Sequence, residues 1–226
     1  MIFAVTSVKE IIFILVVTII SLSVHEFAHA FTAHLCGDDT AYSYGRMTLN
    51  PIKHLDPFGF LAMLFMGFGW ARPVPVNMRG LKNPRRDMAL VSLAGPLSNF
   101  ILAFFGVAII RLLFLVETEN EFVFNLTYNF YLFFAYFSIL NVGLGLFNLI
   151  PIPPLDGSKI LSSLLPPKWG YKFMMLERYT PIFMVVLFAL SYFDAFNTLF
   201  YPIVWLRSRI LHLFTLPFFF GESVPF

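Results

Sequence analysis

The chain has 226 residues, of which 58% are hydrophobic, 19% aromatic and only 12% charged, and its mean hydropathy is +0.78. Soluble domains carry about 25% charged residues, so this composition excludes an ordinary soluble protein and indicates surfaces that face lipid. The net charge of +2 is too small to favour a nucleic-acid partner. The single cysteine, Cys36, excludes an internal disulfide and any metal site built on several cysteines.

Three apolar segments are long enough to cross a membrane as helices. The first covers residues 11–35, or about 38 Å of helix against a hydrocarbon core of about 30 Å. It is too long for a signal-peptide core and no small-residue cleavage site follows it, so we expect it to be retained. The others cover residues 88–116 and 127–150. The expected fold is an all-α polytopic membrane protein with three core transmembrane helices.

A shorter apolar segment, residues 58–70, lies between the first two spans and contains Gly59, Gly67 and Gly69. It is too short to cross the bilayer as a helix, so we expect a re-entrant hairpin that enters the membrane and returns. Irregular backbone at membrane depth is tolerated only where protein or a water-filled cavity satisfies its polar groups. The segment is therefore predicted to lie beside a functional cavity.

The C-terminal part is apolar again over residues 181–220, but polar residues and a proline interrupt it. These are Asp194, Asn197, Pro202, Arg207 and Arg209. One or two C-terminal membrane segments are predicted there, and the two arginines favour a hairpin over a single crossing. We predict one membrane domain over residues 1–226, with a catalytic core at about residues 8–165 and the C-terminal segments at about 181–220.

Basic residues are concentrated on one side of the predicted membrane. The region between the first two spans contains Arg46, Lys53, Arg72, Arg79, Lys82, Arg85 and Arg86, and the third span is followed by Lys159, Lys168, Lys172 and Arg178. The connector at 117–121 has three glutamates and no basic residue. The positive-inside rule then predicts a multi-pass protein of the cytoplasmic membrane, with its N-terminus outside and the end of the first span in the cytoplasm.

The first span contains His25-Glu26-Phe27-Ala28-His29, an H-E-x-x-H pattern on a helix. Histidines four residues apart share one helix face, so both imidazoles can bind one ion while Glu26 lies beside it. An ionisable side chain within a span costs at least about 2.5 kcal/mol, so three together indicate a shared polar role. The structural alternative is that the three groups only form hydrogen bonds to neighbouring helices.

A catalytic zinc ion takes three protein ligands and leaves one position for water, so a third ligand is required. Asp156 is the best candidate, because it follows prolines within residues 151–154 that end the third span on the side of the histidines. Gly157 permits a tight turn that would fix the carboxylate. The alternative is an N-cap role for Asp156 in a helix that begins near Ser158. The weaker rivals are Asp56, Asp87 and Asp194.

Together these residues predict metal-assisted peptide hydrolysis with one zinc ion per chain. The metal lowers the pKa of its water to about 7. Glu26 then accepts the proton as the water attacks a carbonyl, and later donates it to the leaving amine. Amide or imidazole donors for the oxyanion are available in Asn148, His54 and Asn99.

With these residues in place, the chain resembles the site-2 protease family of intramembrane zinc metalloproteases, in its compact bacterial and archaeal form without a peptide-binding domain. The matching segments are HEFAH (25–29), GDDTA (37–41), GRMTLNPIKHLDPFG (45–59), FGWARPVPVN (68–77), NPRRDMALVSLAGPLSN (83–99) and FNLIPIPPLDG (147–157). The resemblance implies zinc ligands His25, His29 and Asp156, with Glu26 as general base.

The resemblance implies further roles. Asn148 would help to hold the substrate backbone or the oxyanion, and His54 would be an active-site histidine of this subtype. The implied substrates are transmembrane helices of other proteins, which must unwind before hydrolysis. An exposed extended segment near residues 49–60, with Asn50 and Pro51, is predicted to pair with them as an added strand. Asn99 is the third predicted substrate-binding residue.

Two other functions are considered. A metal transporter would also bury His and Asp in spans, but its ligands would lie on several helices and lead to both faces, whereas these gather near one side. A non-proteolytic scaffold that binds membrane proteins would tolerate loss of Glu26 or of a ligand, and all four residues are present. The sequence predicts no oligomeric state.

Overall fold

The structure, a computed structural model, describes residues 7–66, 69–192 and 195–218. Within these residues the chain is all-α, and its only paired extended residues are Leu55 and Ala71, which form an isolated antiparallel bridge. The α-helices are α1 (Val8–Leu35), α2 (Thr40–Ser43), α3 (Pro57–Met66), α4 (Pro84–Leu113), α5 (Glu121–Asn148), α6 (Asp156–Leu164), α7 (Pro167–Met174), α8 (Thr180–Tyr192) and α9 (Ala195–Thr215). Short 3-10 helices cover Pro51–Lys53 and Met175–Tyr179.

Three of these helices, α1, α4 and α5, are long and apolar enough to cross a membrane. They confirm the prediction of a multi-pass membrane protein, although each begins earlier than its apolar segment. Polar caps set the starts of two of them, because the side chain of Ser7 accepts from the N–H of Glu10 and that of Asn120 accepts from the N–H of Val123. Pro84 opens α4, as is common in a first helical turn.

The three long helices form one bundle in which α4 packs against both α1 and α5. Their contacts show that they alternate in direction. His25 and His29 of α1 meet Asn99 and Val91 of α4 in reverse order, and α4 meets α5 in reverse order at Gly106 and Gly145. The C-terminal end of α1, the N-terminal end of α4 and the C-terminal end of α5 therefore meet at one end. Helix α9 packs against α5 and α4 at an apolar core. The buried residues of this core are Ala103, Val107, Val142, Leu146 and Leu211. His25 and His29 of α1 contact α4 away from this core, at Asn99 and Val91.

The predicted re-entrant segment is mainly helix α3. Its ten residues cover about 15 Å, too little to cross a bilayer. Leu55, before the helix, pairs with Ala71, after it, so the chain leaves and returns to the same place. Gly67 and the residue after it lie outside the described residues.

The prediction of an extended segment at residues 49–60 is wrong. Pro51 begins a 3-10 helix and Pro57 begins α3, because proline fits the first turn of a helix, where its missing N–H is not needed. The non-helical stretch lies later, at residues 72–77. We call these six residues the strap. Pro73 and Pro75 fix their own φ angles and restrict the residues before them to extended conformations.

The C-terminal part forms two helices, α8 and α9, that contact each other. The favoured hairpin stays a prediction. Helix α8 has 13 residues, and α9 carries Arg207 and Arg209. The number of membrane crossings in this part stays a prediction, as do the domain boundaries. Asp194 lies outside the described residues.

Candidate metal centre

The three predicted ligands lie together. His25 and His29 are one turn apart on α1, and Asp156 is the first residue of α6. The two Nε2 atoms are 3.0 Å apart, and each lies 3.1 Å from Asp156 Oδ2. All three residues are buried. Among the described residues, no other group of three or more His, Cys, Asp or Glu side chains meets in this way.

A buried chain of hydrogen bonds fixes the tautomer of His25. Asn141 Nδ2 donates to the carbonyl of Phe137 and to Ser21 Oγ, both at 2.8 Å, so its Oδ1 is left to accept from Asn99 Nδ2 at 2.8 Å. Asn99 Oδ1 therefore accepts from His25 Nδ1–H at 2.7 Å. Because Nδ1 carries the proton, Nε2 of the neutral imidazole presents a lone pair towards Asp156.

His29 has the same tautomer for a simpler reason, and the three side chains together then fit a metal ion. Its Nδ1 donates to the carbonyl of Val91 at 2.7 Å, a group that only accepts. Two imidazole lone pairs and the Asp156 carboxylate thus face one another within 3.1 Å, and such acceptors repel unless a cation lies between them. Two histidines and one carboxylate form a known ligand set for catalytic zinc.

The turn after α5 positions Asp156, the third candidate ligand. Leu155 is the N-cap of α6 and Asp156 is its first helical residue, so the N-cap alternative for Asp156 is wrong. Gly157 is helical and does not form the expected tight turn. It is needed for close packing, since a Cβ there would lie 2.2 Å from the carbonyl oxygen of Leu149. The bare backbone of Gly157 lets α6 lie against the end of α5.

Glu26 faces the strap. Its side chain is buried, and Oε2 accepts from the N–H of Val74 at 2.8 Å. The side chain of Arg46 donates a hydrogen bond to the carbonyl of Arg72 in the strap, at 2.7 Å. Burial and the charge of Arg72 lower the pKa of Arg46 from its ordinary value, while attraction to the Glu26 carboxylate acts in the opposite direction.

Asn99 lies in a different environment from the one expected of a substrate-binding residue. It has no exposed surface, and both ends of its amide are engaged with His25 and Asn141. Because the side chain has no exposed surface, substrate could reach it only if the surrounding helices moved apart. The geometry favours a role in holding His25 in place of the predicted substrate contact.

Among the described residues, Asn148 and His54 form no hydrogen bond with His25, His29 or Asp156. Asn148, the last residue of α5, donates from Nδ2 to the carbonyl of Leu144 at 3.0 Å, which leaves its second N–H for another acceptor. His54 is buried and donates from Nε2 to the carbonyl of Thr48 at 2.7 Å. Its Nδ1 has no hydrogen-bond partner among the described residues.

Asn50 and Pro51 lie at the start of the first 3-10 helix. Asn50 is exposed and caps this helix, because its Oδ1 accepts from the N–H of Ile52 at 3.1 Å. Their predicted contact with substrate stays a prediction, although the added strand that motivated it is absent from residues 51–53 and 57–60.

The rival carboxylates have structural roles. Asp56 Oδ1 accepts from the N–H of Gly59 at the start of α3, and Asp87 accepts from the N–H of Asn83 and from Arg86 at the start of α4. Neither belongs to the ligand cluster. The third rival, Asp194, is outside the described residues.

Several residues at the centre were missed by the sequence analysis. Ser21 and Asn141 carry a usable signal, because they are polar residues inside apolar spans and Ser21 lies one helical turn before His25. Val74 and Val91 carry none, since each acts through its backbone. Gly95 lies against both imidazoles. The chain has 13 glycines, so a glycine at this position gives no signal by itself.

Comparison with known sequences gives one family. The sequence profile of peptidase family M50 matches residues 12–133 and 116–192. The chain is 48% identical to "Putative zinc metalloprotease YwhC" of Bacillus subtilis (strain 168), over 78% of this chain and 80% of that protein.

Two further relatives are more distant. The chain is 32% identical to "Putative zinc metalloprotease Rip2" of Mycobacterium tuberculosis (strain H37Rv), over 78% of this chain and 67% of that protein. It is 36% identical to "Zinc metalloprotease MJ0392" of Methanocaldococcus jannaschii, over 40% of this chain and 23% of that protein. No solved structure matches the chain.

Proposed function

Because the chain belongs to peptidase family M50, we propose that this membrane-embedded zinc metalloprotease hydrolyses peptide bonds within or beside transmembrane helices of other membrane proteins. The observation that carries the proposal is the depth of the ligand cluster. His25 is about 26 Å along α1 from Val8 and about 15 Å from its end at Leu35. A bond hydrolysed there has to enter the membrane region of the protein.

The three cluster residues, together with Glu26 and Asn148, have distinct roles in this function. His25, His29 and Asp156 hold the zinc ion, and when bound the ion polarises water and the scissile carbonyl. Glu26 accepts a proton from the attacking water and delivers it to the leaving amine. The second N–H of Asn148 donates to the substrate carbonyl as it gains negative charge.

The active site faces the cytoplasmic side of the cytoplasmic membrane. The ends of α1 and α5 and the start of α4 meet near the ligand cluster, and the connectors at that end contain the basic residues counted above. The positive-inside rule assigns these connectors to the cytoplasm and the N-terminus to the outside. Substrates that span the membrane once would present their cytoplasmic half to this site.

The proposal is tested by reconstituting the zinc-loaded chain in liposomes with labelled transmembrane peptides. We expect cleavage that a chelator abolishes and added zinc restores, because the ligand cluster is the only one among the described residues. Mass spectrometry of the products should place the cut inside or next to the apolar stretch. A soluble peptide of the same flanking sequence serves as control, and its preferential cleavage would contradict the proposal.

A further inference from the structure

The strap makes one direct contact with the proposed general base. The N–H of Val74 donates to Glu26 Oε2 at 2.8 Å. No hydrogen bond among the described residues occupies the other oxygen, Oε1. One oxygen of the carboxylate is therefore held by the strap, while the other has no donor from the described part of the protein.

Val74 has the only backbone N–H among residues 73–75 of the strap. Residues 73 and 75 are prolines, which have no N–H. The residue before a proline is restricted to extended conformations, so Pro75 restricts Val74 and Pro73 restricts Arg72. The N–H of Val74 is thus presented to Glu26 by a stiff segment that loses little conformational entropy when the hydrogen bond forms.

Buried polar groups anchor the strap at both ends. At its start, the N–H of Arg72 donates to the carbonyl of His54 at 2.7 Å, and Arg46 donates to the carbonyl of Arg72 at 2.7 Å. At its end, the N–H of Asn77 donates to Asp38 Oδ2 at 2.7 Å. Arg46 and Asp38 are 8% and 2% exposed. These anchors fix the position of Val74 relative to α1.

We propose that the backbone N–H of Val74 is a positioning group for Glu26, holding one carboxylate oxygen so that the other faces the attacking water. This inference rests on the proposed function, because it assigns the group that orients the base in that reaction. A carboxylate on a flexible side chain samples several rotamers, and a fixed donor selects one. Reactive geometry of this kind affects the chemical step more than substrate binding.

The opposite role for the same contact is a latch that keeps Glu26 away from water until substrate arrives. The two roles predict opposite changes in kcat when the N–H is removed. Removing the N–H from a positioning group lowers kcat, whereas removing it from a latch raises kcat.

The test replaces Val74 by proline, which removes this N–H in a segment that is already Pro-Val-Pro and non-helical. We expect kcat on a cleaved transmembrane peptide to fall about 10- to 100-fold, the range for losing a hydrogen bond to a charged group. KM and the zinc dissociation constant, measured by competition with a coloured chelator, should stay within about twofold because no ligand contact changes. In the Glu26→Gln background, Val74→Pro should have no further effect on the residual rate.

Two comparisons make the test specific. Val74→Ala keeps the N–H and should recover most of the kcat lost in Val74→Pro. Val76→Pro adds the same ring two residues later, where the N–H makes no hydrogen bond among the described residues, and should leave kcat near that of the wild type. Incorporation of α-hydroxyvaline at position 74 replaces only the N–H by oxygen and should reproduce the Val74→Pro loss without a ring.

An unchanged or raised kcat in Val74→Pro and in the ester variant overturns the inference, as does a loss of zinc that accompanies the loss of kcat. These results are distinct from failure of the proposed function, in which the wild-type chain itself does not cleave the peptide.

Discussion

Replacing Gly95 by alanine is expected to weaken zinc binding by at least about 100-fold. A Cβ at this position of α4 would lie 2.5 Å from His29 Cε1 and Nε2 and 2.6 Å from His25 Cε1. Both rings are held by hydrogen bonds at Nδ1, so they cannot move aside without losing them. Loss of one such outer-shell bond typically costs 10- to 100-fold in metal affinity, and because both rings are affected the combined loss is at least about 100-fold. Zinc per purified chain and the zinc dissociation constant measure the effect.

Gly143→Ala is the matched control. It places the same methyl group in α5, another membrane helix, where the nearest atom is Arg207 Cδ at 4.0 Å. We expect full zinc binding, together with up to about 1 kcal/mol of helix stabilisation from the higher propensity of alanine. Equal zinc affinity in the two variants would show that the space beside Gly95 is not required by the metal centre.

Replacing Glu26 by glutamine is expected to lower the turnover rate by about 10²- to 10⁴-fold, the usual contribution of a general base. Glutamine keeps the size of the side chain, and its Oε1 can accept the hydrogen bond from the N–H of Val74. The amide cannot take up a proton from water. The zinc content should be unchanged, because Glu26 is not part of the ligand cluster. Single-turnover cleavage rates and zinc per chain are the measurements.

Glu121→Gln makes the same chemical change at an exposed position in the first turn of α5. It should cleave at close to the wild-type rate. If the Glu26→Gln chain keeps more than about a tenth of the wild-type rate, another group accepts the proton and the role of Glu26 is wrong. If it loses zinc as well, the residue supports the fold of the site.

The three spans and two of the proposed ligands are accessible from sequence because their patterns are local. An apolar run of sufficient length has few alternatives to a membrane helix, and the spacing of His25 and His29 acts within one helical turn. The helix boundaries were less accurate. Ser7 and Asn120 set two of them by capping, and Pro84 sets the third as a first helical residue. All three depend on single residues outside the apolar runs.

The surroundings of the ligands are harder to predict, because they depend on how one helix is rotated against another. Asn99 and Asn141 belong to different helices, and only the packing of α4 on α1 and α5 turns them into a chain that ends on His25. The acceptor for His29 and the donor for Glu26 are backbone groups of Val91 and Val74. Side-chain identity carries no information about such contacts.

The segment after Asn50 shows a conflict between the expected substrate pairing and local chemistry. Strand pairing with an unwound substrate requires extended backbone near residues 49–60, but prolines at positions 51 and 57 start helical turns there. Extended backbone is favoured instead where prolines alternate with valines, at residues 73–76. Reading the positions of the prolines first would have placed the strap correctly.

The central claim is that His25, His29 and Asp156 hold one catalytic zinc ion, and zinc K-edge X-ray absorption on the purified chain tests it most directly. We predict one zinc per chain in a shell of nitrogen and oxygen atoms at about 2.0–2.1 Å, with imidazole scattering from two histidines. Asp156→Ala should remove the zinc. Two results would contradict the account. One is a sulfur scatterer at about 2.3 Å, which would have to come from Cys36, the single cysteine. The other is zinc retained unchanged in Asp156→Ala.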